Sequence, residues 1–255
     1  MKNSIQIMKE AIVDILGNNI SAIYLFGSVA LGDFKSGWSD IDILCLTKFP
    51  IADKQANTLV SLRQSLLEKD QENQYFRLFE GGIISLNTFM NGTTETVIYW
   101  GTSGQRITDT YHFDSFSMYE LISDGVLLYG NDIRAKLTMP TYEQLKEDVV
   151  RHYEAIRKYA VNTSRSIYSV GWLLDIARGI YTLQTGKVIA KTKAGEWALE
   201  KQICPIPETL SKAVQIRKNP QDYLNDNTFW DWTETLGDEI QKFADVMEDE
   251  IKLAK

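Results

Sequence analysis

Apolar residues recur along this chain with two different periods, and the change from one to the other divides it. Ile5, Met8, Ile12, Ile15 and Leu16 fall at helical spacing and predict an opening amphipathic helix. Ile20, Ala22, Ile23, Tyr24, Leu25 and Phe26 run together as a buried strand would, and Ile41-Ile43-Leu44-Cys45-Leu46 predicts a second strand over 40–46. A helix is expected over Asp53–Lys69, with Leu59, Leu62, Leu66 and Leu67 on one side, and then a strand over Ile83–Phe89. The polar stretch Asn91–Thr110 has no clear period. It reads either as an active-site loop or as surface loop around a short helix at Val97–Trp100. Asp114–Leu128 reads as a further helix closed by Gly130.

Beyond Pro140 the patterns are helical only: Tyr142–Val161, Ser166–Thr185, Thr192–Gln202, Pro207–Lys218 and Thr228–Lys252. Strand alternation is absent there and the connections are short, which describes a helical bundle. The expected organisation is an α+β domain, a mixed sheet with helices, over residues 1–139, followed by a helical domain over 140–255.

Composition narrows the function classes without choosing a substrate. A length of 255 residues suffices for two modest cores, and 44% hydrophobic with 24% charged residues is ordinary for a globular protein. No apolar run approaches a membrane span and the N-terminus has no cleavable signal pattern, so a cytoplasmic location is expected. Cys45 and Cys204 fall in different expected domains and flank no ligand pattern, as reduced core thiols do. The net charge of −7 argues against a nucleic-acid partner and is compatible with steering a cationic one. A monomer and a homodimer are equally compatible with the sequence.

The chemistry concentrates in LFGSVALGDFKSGWSDIDILCLT. Gly27 follows the first strand and, lacking a Cβ, permits a tight turn and close approach to a ligand. Ser28 adds a hydroxyl and opens a short helical pattern whose free N–H groups suit phosphate oxygens. Asp40 and Asp42 stand two residues apart at the start of the next strand, a spacing that directs both carboxylates to one face. Carboxylates so placed repel unless a cation lies between them. Magnesium is the natural guest, since it takes oxygen ligands and bridges carboxylates to nucleotide phosphates.

These residues, with Gly32 and Ser39, resemble the nucleotidyltransferase signature of the polymerase-beta-like superfamily. The whole chain resembles the aminoglycoside nucleotidyltransferases of the streptomycin/spectinomycin adenylyltransferase type. The resemblance implies a polymerase-beta-like domain followed by a helical bundle. It also implies transfer of AMP from ATP, as co-substrate, to a hydroxyl of a small aminoglycoside-type antibiotic, with Mg2+ assisting and pyrophosphate released. By the same resemblance Glu80 is the third carboxylate, serving as catalytic base and completing the metal set with Asp40 and Asp42, and Arg77 before it also fits. Gly27, Ser28 and Ser39 would hold nucleotide phosphates. In DIARGIYTLQTGKVIAKTKAGEWAL, Arg178 and Lys191 occupy the family's triphosphate positions, with Lys187 a nearby alternative.

Two departures stand out. Gly81-Gly82 follow Glu80 where the family continues a strand of β-branched residues, so Glu80 is open to displacement or to a turn. Tyr168-Ser169-Val170-Gly171 replaces the family's acidic stretch that contacts the acceptor. Asp175 is expected to pair with Arg178 at i,i+3. Two alternatives to a drug-modifying enzyme are a protein-modifying nucleotidyltransferase and a nucleotide-binding module that has lost catalysis. Tyr223, Phe229, Trp230 and Trp232 read as an aromatic anchor for the last helix, and Trp197 as a bundle contact.

Overall fold

The alternation in the first half of the chain builds a mixed sheet. In the computed structural model, which describes residues 1–101 and 104–254, the strands are β1 (Ile20–Leu25), β2 (Ile41–Thr47), β3 (Phe79–Ser85), β4 (Val97–Gly101), β5 (Gly104–Thr108) and β6 (Val126–Gly130). They lie in the order β5-β4-β3-β2-β1-β6. Only β2 and β3 run parallel among the described pairings; the others are antiparallel. Helices α1 (Lys2–Leu16) and α3 (Asp53–Lys69) pack together, and Met8 and Ile12 on the first and Leu59 and Leu62 on the second are buried as their spacing requires. A second apolar layer joins Ala22, Tyr24, Phe26, Leu44, Leu46 and Ile84 to Leu121 and Ile133. Between β1 and β2 lies the short helix α2 (Gly27–Ala30).

Three expected elements in this half are corrected. The strand expected over Ile83–Phe89 starts earlier, at Phe79, and stops at Ser85, because the Ser85 hydroxyl accepts the Thr88 N–H at 3.0 Å and caps helix α4 (Leu86–Asn91). The aperiodic stretch 91–110 contains the antiparallel pair β4–β5 instead of a loop or a helix at Val97–Trp100, with Thr102 and Ser103 outside the described residues. Val97, Ile98 and Trp100 are buried although they point to both faces of the sheet, which hides the strand's alternation. Helix α5 (Ser115–Asp124) ends before Gly125, and Val126–Gly130 turns into the edge strand β6, paired with β1.

The chain divides into two compact units. One gathers Met1–Gly32, Asp40–Phe113 and Glu120–Met139; the other gathers Asp33–Ser39, Asp114–Tyr119 and everything from Pro140 onward. The second unit holds α6 (Tyr142–Tyr159), α7 (Ile167–Thr185), α8 (Lys191–Glu200), α9 (Pro207–Lys218), α10 (Asn227–Thr233) and α11 (Gly237–Leu253). α7 is the central helix, since Leu173, Leu174, Ile176, Ala177 and Ile180 are fully buried and it touches α6, α8, α9 and α11. Thr141 and Gln144 form a capping box that starts α6 after Pro140. The single helix expected over Thr228–Lys252 is broken into α10 and α11. The Glu234 carbonyl is taken by the Thr163 hydroxyl at 2.9 Å, and the Thr233 hydroxyl goes to Ser164 at 3.1 Å, contacts that periodicity does not reveal. Phe229 packs with Tyr223, Trp230 and Trp232 at ring separations of 5.8, 4.6 and 6.3 Å, and Trp197 meets Tyr181 edge-on at 5.1 Å. Cys45 and Cys204 are buried free thiols.

Candidate active site

Strand register decides the geometry of the carboxylates. β2 and β3 run parallel with Asp42 opposite Glu80, so the two side chains leave adjacent strands on one face, the face of Leu44 and Leu46. Asp40 lies just before β2, which begins at Ile41. Gly81 and Gly82 do not form a turn. Both continue β3, opposite Ile43 and Leu44 on one side and Trp100 and Tyr99 on the other. Gly81 has φ +138°, and a Cβ there would overlap the Ile43 carbonyl. A Cβ on Gly82 would come within 2.7 Å of the Tyr111 ring. Glycine thus lets β3 lie close beneath its neighbours, and Glu80 keeps its register.

The turn after β1 is built against the same carboxylate. Gly27 has φ +61° and a Cβ there would overlap Asp42 Oδ2. The Ser28 backbone N–H donates to the Asp42 carboxylate, and the Ser28 hydroxyl donates to the Asp40 carbonyl at 3.2 Å. The Phe26 N–H reaches the Asp42 carbonyl at 3.2 Å. Gly27, Ser28, Asp40, Asp42 and Glu80 are therefore brought together. Ser39 is placed differently: it closes the segment Asp33–Ser39, which groups with the helical unit, and its hydroxyl accepts the Lys35 N–H at 2.9 Å.

Withdrawal from solvent pushes the Asp42 carboxyl up to about 7, helped by the negative charges of Glu120, Asp40 and Glu80, against the pull of the Ser28 N–H. Glu120, buried on α5, is a fourth carboxylate that sequence reasoning missed. Its neighbours one turn away on α5, Phe116, Ser117, Ser123 and Asp124, are mostly polar, so nothing in the sequence marks its burial. Among the described residues these groups do not close into a ready three-ligand metal cage. A set of oxygen donors this mutually repulsive nevertheless fits a hard divalent cation, whose charge would offset the repulsion that adds to burial in raising Asp42. On the neighbouring helix α3, Arg63 Nη2 donates to the Arg77 carbonyl at 2.9 Å, at the entry to β3. Arg77 itself is exposed.

Arg178 and Lys191 belong to the helical unit. Arg178 sits mid-α7, where its Nε donates to the Ile189 carbonyl at 2.9 Å and its guanidinium lies 5.0 Å from the Phe116 ring centre. Lys191 opens α8, with Nζ 2.8 Å from Asp175 Oδ1. Asp175 thus takes Lys191 as its ion-pair partner, a pairing absent from the sequence reading. Lys187 is exposed. In the segment that departs from the family, Tyr168 is 64% exposed while the Ser169 hydroxyl is spent on the Ser164 carbonyl at 2.9 Å.

Comparison with known proteins matches the two halves separately. Residues 5–78 match the Nucleotidyltransferase domain family, and residues 141–250 match the family described as Aminoglycoside adenylyltransferase, C-terminal domain. The chain is similar to Spectinomycin 9-adenylyltransferase of Enterococcus faecalis, 25% identical over 227 residues that span 84% of each chain. It also resembles the crystal structure of the spectinomycin adenyltransferase AAD(9) of that organism with ATP and spectinomycin. There the TM-score is 0.67 and the identity 20%, over 97% of this chain and 99% of that one. Among the described residues no helix is long and apolar enough to cross a membrane. The chain thus carries, in this order, a match to the nucleotidyltransferase domain and a match to the aminoglycoside adenylyltransferase C-terminal domain, with the fold of the spectinomycin enzyme.

Proposed function

We propose that this nucleotidyltransferase moves AMP from ATP to a hydroxyl of a spectinomycin-like antibiotic and releases pyrophosphate, as a cytoplasmic resistance enzyme. The observation that carries the reading is the register of Asp42 opposite Glu80, with the Gly27–Ser28 turn pressed against Asp42. Glu80 takes the proton from the acceptor hydroxyl as that oxygen attacks the α-phosphorus, and the bond to the β-phosphate oxygen breaks. The N–H groups of the Gly27–Ser28 turn hold the β- and γ-phosphates, and Arg178 with Lys191 neutralises the charge gathering on pyrophosphate. Asp40 and Asp42, with Glu80 beside them, would hold magnesium, which supplies charge neutralisation for the triphosphate when bound.

The domains of this reading are the nucleotidyltransferase half, 1–139, and the helical half, 140–255. Spectinomycin is the first acceptor to test because the relatives are spectinomycin enzymes and because Tyr168–Gly171 supplies no carboxylates for a guanidinium-bearing drug. A catalytically dead module would follow if Gly81-Gly82 displaced Glu80, but both glycines lie within a paired strand and Glu80 stays beside Asp42, so they give that alternative no support.

The deciding experiment is pyrophosphate release from ATP and magnesium across spectinomycin, streptomycin and other aminoglycosides, with Asp42→Asn as control. Release that depends on spectinomycin and is lost in the variant supports the reading. Release with no small acceptor, but with label transferred from ATP to a protein, would replace it by the protein-modifying alternative.

A further inference from the structure

Lys191 is held on two sides. Its Nζ lies 2.8 Å from Asp175 Oδ1, and the two side chains are 33% and 22% exposed. Its backbone opens α8, whose next residue, Thr192, gives its hydroxyl and its N–H to the Asp33 carboxylate at 2.6 and 3.3 Å. Asp33 is fixed in turn by the buried Arg217, which donates to the Asp33 carbonyl at 3.1 Å. Just before Lys191, the Ile189 carbonyl accepts from Arg178. α7 therefore grips this segment twice, by Arg178 on the backbone and by Asp175 on the lysine head.

We propose that Asp175 is a positioning residue that fixes the Lys191 ammonium for the nucleotide triphosphate. The inference rests on the reading of Lys191 as a triphosphate contact. A lysine carries its charge on a flexible four-carbon stem, and holding it in one place removes an ordering cost that nucleotide binding would otherwise meet. The ammonium has three donors, and its ion pair with Asp175 leaves others for phosphate oxygens. Burial would raise the Asp175 carboxyl, but the charge and hydrogen bond of Lys191, with His152 and Arg178 adding, hold it below its ordinary range, so the partner is an anion.

The test is equilibrium binding of magnesium-ATP, without acceptor, to the full chain as wild type, Asp175→Asn, Lys191→Gln and the double variant, together with the KM for the acceptor. Asp175→Asn should weaken ATP binding by about tenfold and Lys191→Gln by at least as much. The double variant should be no weaker than Lys191→Gln alone, with the acceptor KM unchanged. If Lys191→Gln weakens ATP binding and Asp175→Asn does not, the positioning role is wrong and the Lys191 reading stands. If Lys191→Gln binds ATP as wild type does, the Lys191 reading fails and takes the positioning role with it. Additive losses, or a change in acceptor KM without one in ATP, would place Asp175 elsewhere in the reaction and overturn the proposal. Asp175→Glu, which keeps the charge, should recover part of the lost affinity. Should the asparagine variant lose its cooperative unfolding transition, the glutamate variant is judged by the same double-variant comparison.

Discussion

Gly27 and Asp42 constrain each other at the scale of single atoms. With φ +61° and the Asp42 carboxylate where a Cβ would stand, Gly27→Ala meets both backbone strain and a clash. It should lower stability by about 1–3 kcal/mol and reduce transfer more than stability, as read by urea unfolding beside pyrophosphate release. Asp42 carries its own pH signature. Its carboxyl titrates near 3.8 in the unfolded chain and at about 7 when folded. Between those values the folded state keeps a proton that the unfolded chain has released, so this group's contribution to stability falls as pH rises across the window. The urea midpoint of the metal-free protein should therefore decline from pH 4 to 7 more steeply than that of Asp42→Asn, over roughly the span of those two pKa values. An equal slope in both proteins would show that Asp42 is not held protonated.

At the scale of elements, β3 depends on glycine for its register. Gly81→Val would drive a side chain into the Ile43 carbonyl at an unfavourable φ, breaking the β2–β3 ladder that sets Glu80 beside Asp42. A loss of about 3 kcal/mol or more is expected, together with loss of transfer, whereas Glu80→Gln should lose transfer and keep the unfolding midpoint. The sequence carried most of the helices because their apolar stripes are long, but it misplaced the short sheet elements. Periodicity alone starts β3 at Ile83, since two glycines look like a turn until a neighbouring strand requires them. β4 was hidden because both of its faces are covered, and β6 was absorbed into the preceding helix because its few apolar residues continue that period. In the helical unit the Asp33–Arg217 pair is almost fully buried, with side-chain exposures of 9% and 4%. Arg217→Ala should therefore cost about 3–5 kcal/mol, while a surface pair such as Lys252–Glu248 costs about 1 kcal/mol or less.

For the molecule as a whole, the proposed function links ligand and fold through Asp42. Magnesium-ATP at a hundredfold over its dissociation constant should stabilise the native state by about 2.7 kcal/mol, measured by thermal unfolding, and Asp42→Asn should abolish most of that gain. The sequence by itself determined the two-part α+β and helical architecture, the Gly27–Ser28 turn and the placement of the Asp pair, because each is written in neighbouring residues whose spacing fixes their direction. Tertiary structure alone decided the rest. It grouped Asp33–Ser39 and Asp114–Tyr119 with the helical unit, set Glu80 opposite Asp42 through a parallel pairing, and added Glu120 to the carboxylate cluster. It also gave Lys191 to Asp175. Such contacts join residues distant in the chain, and no local period encodes them; they arise where burial removes water and leaves each charge to find its partner.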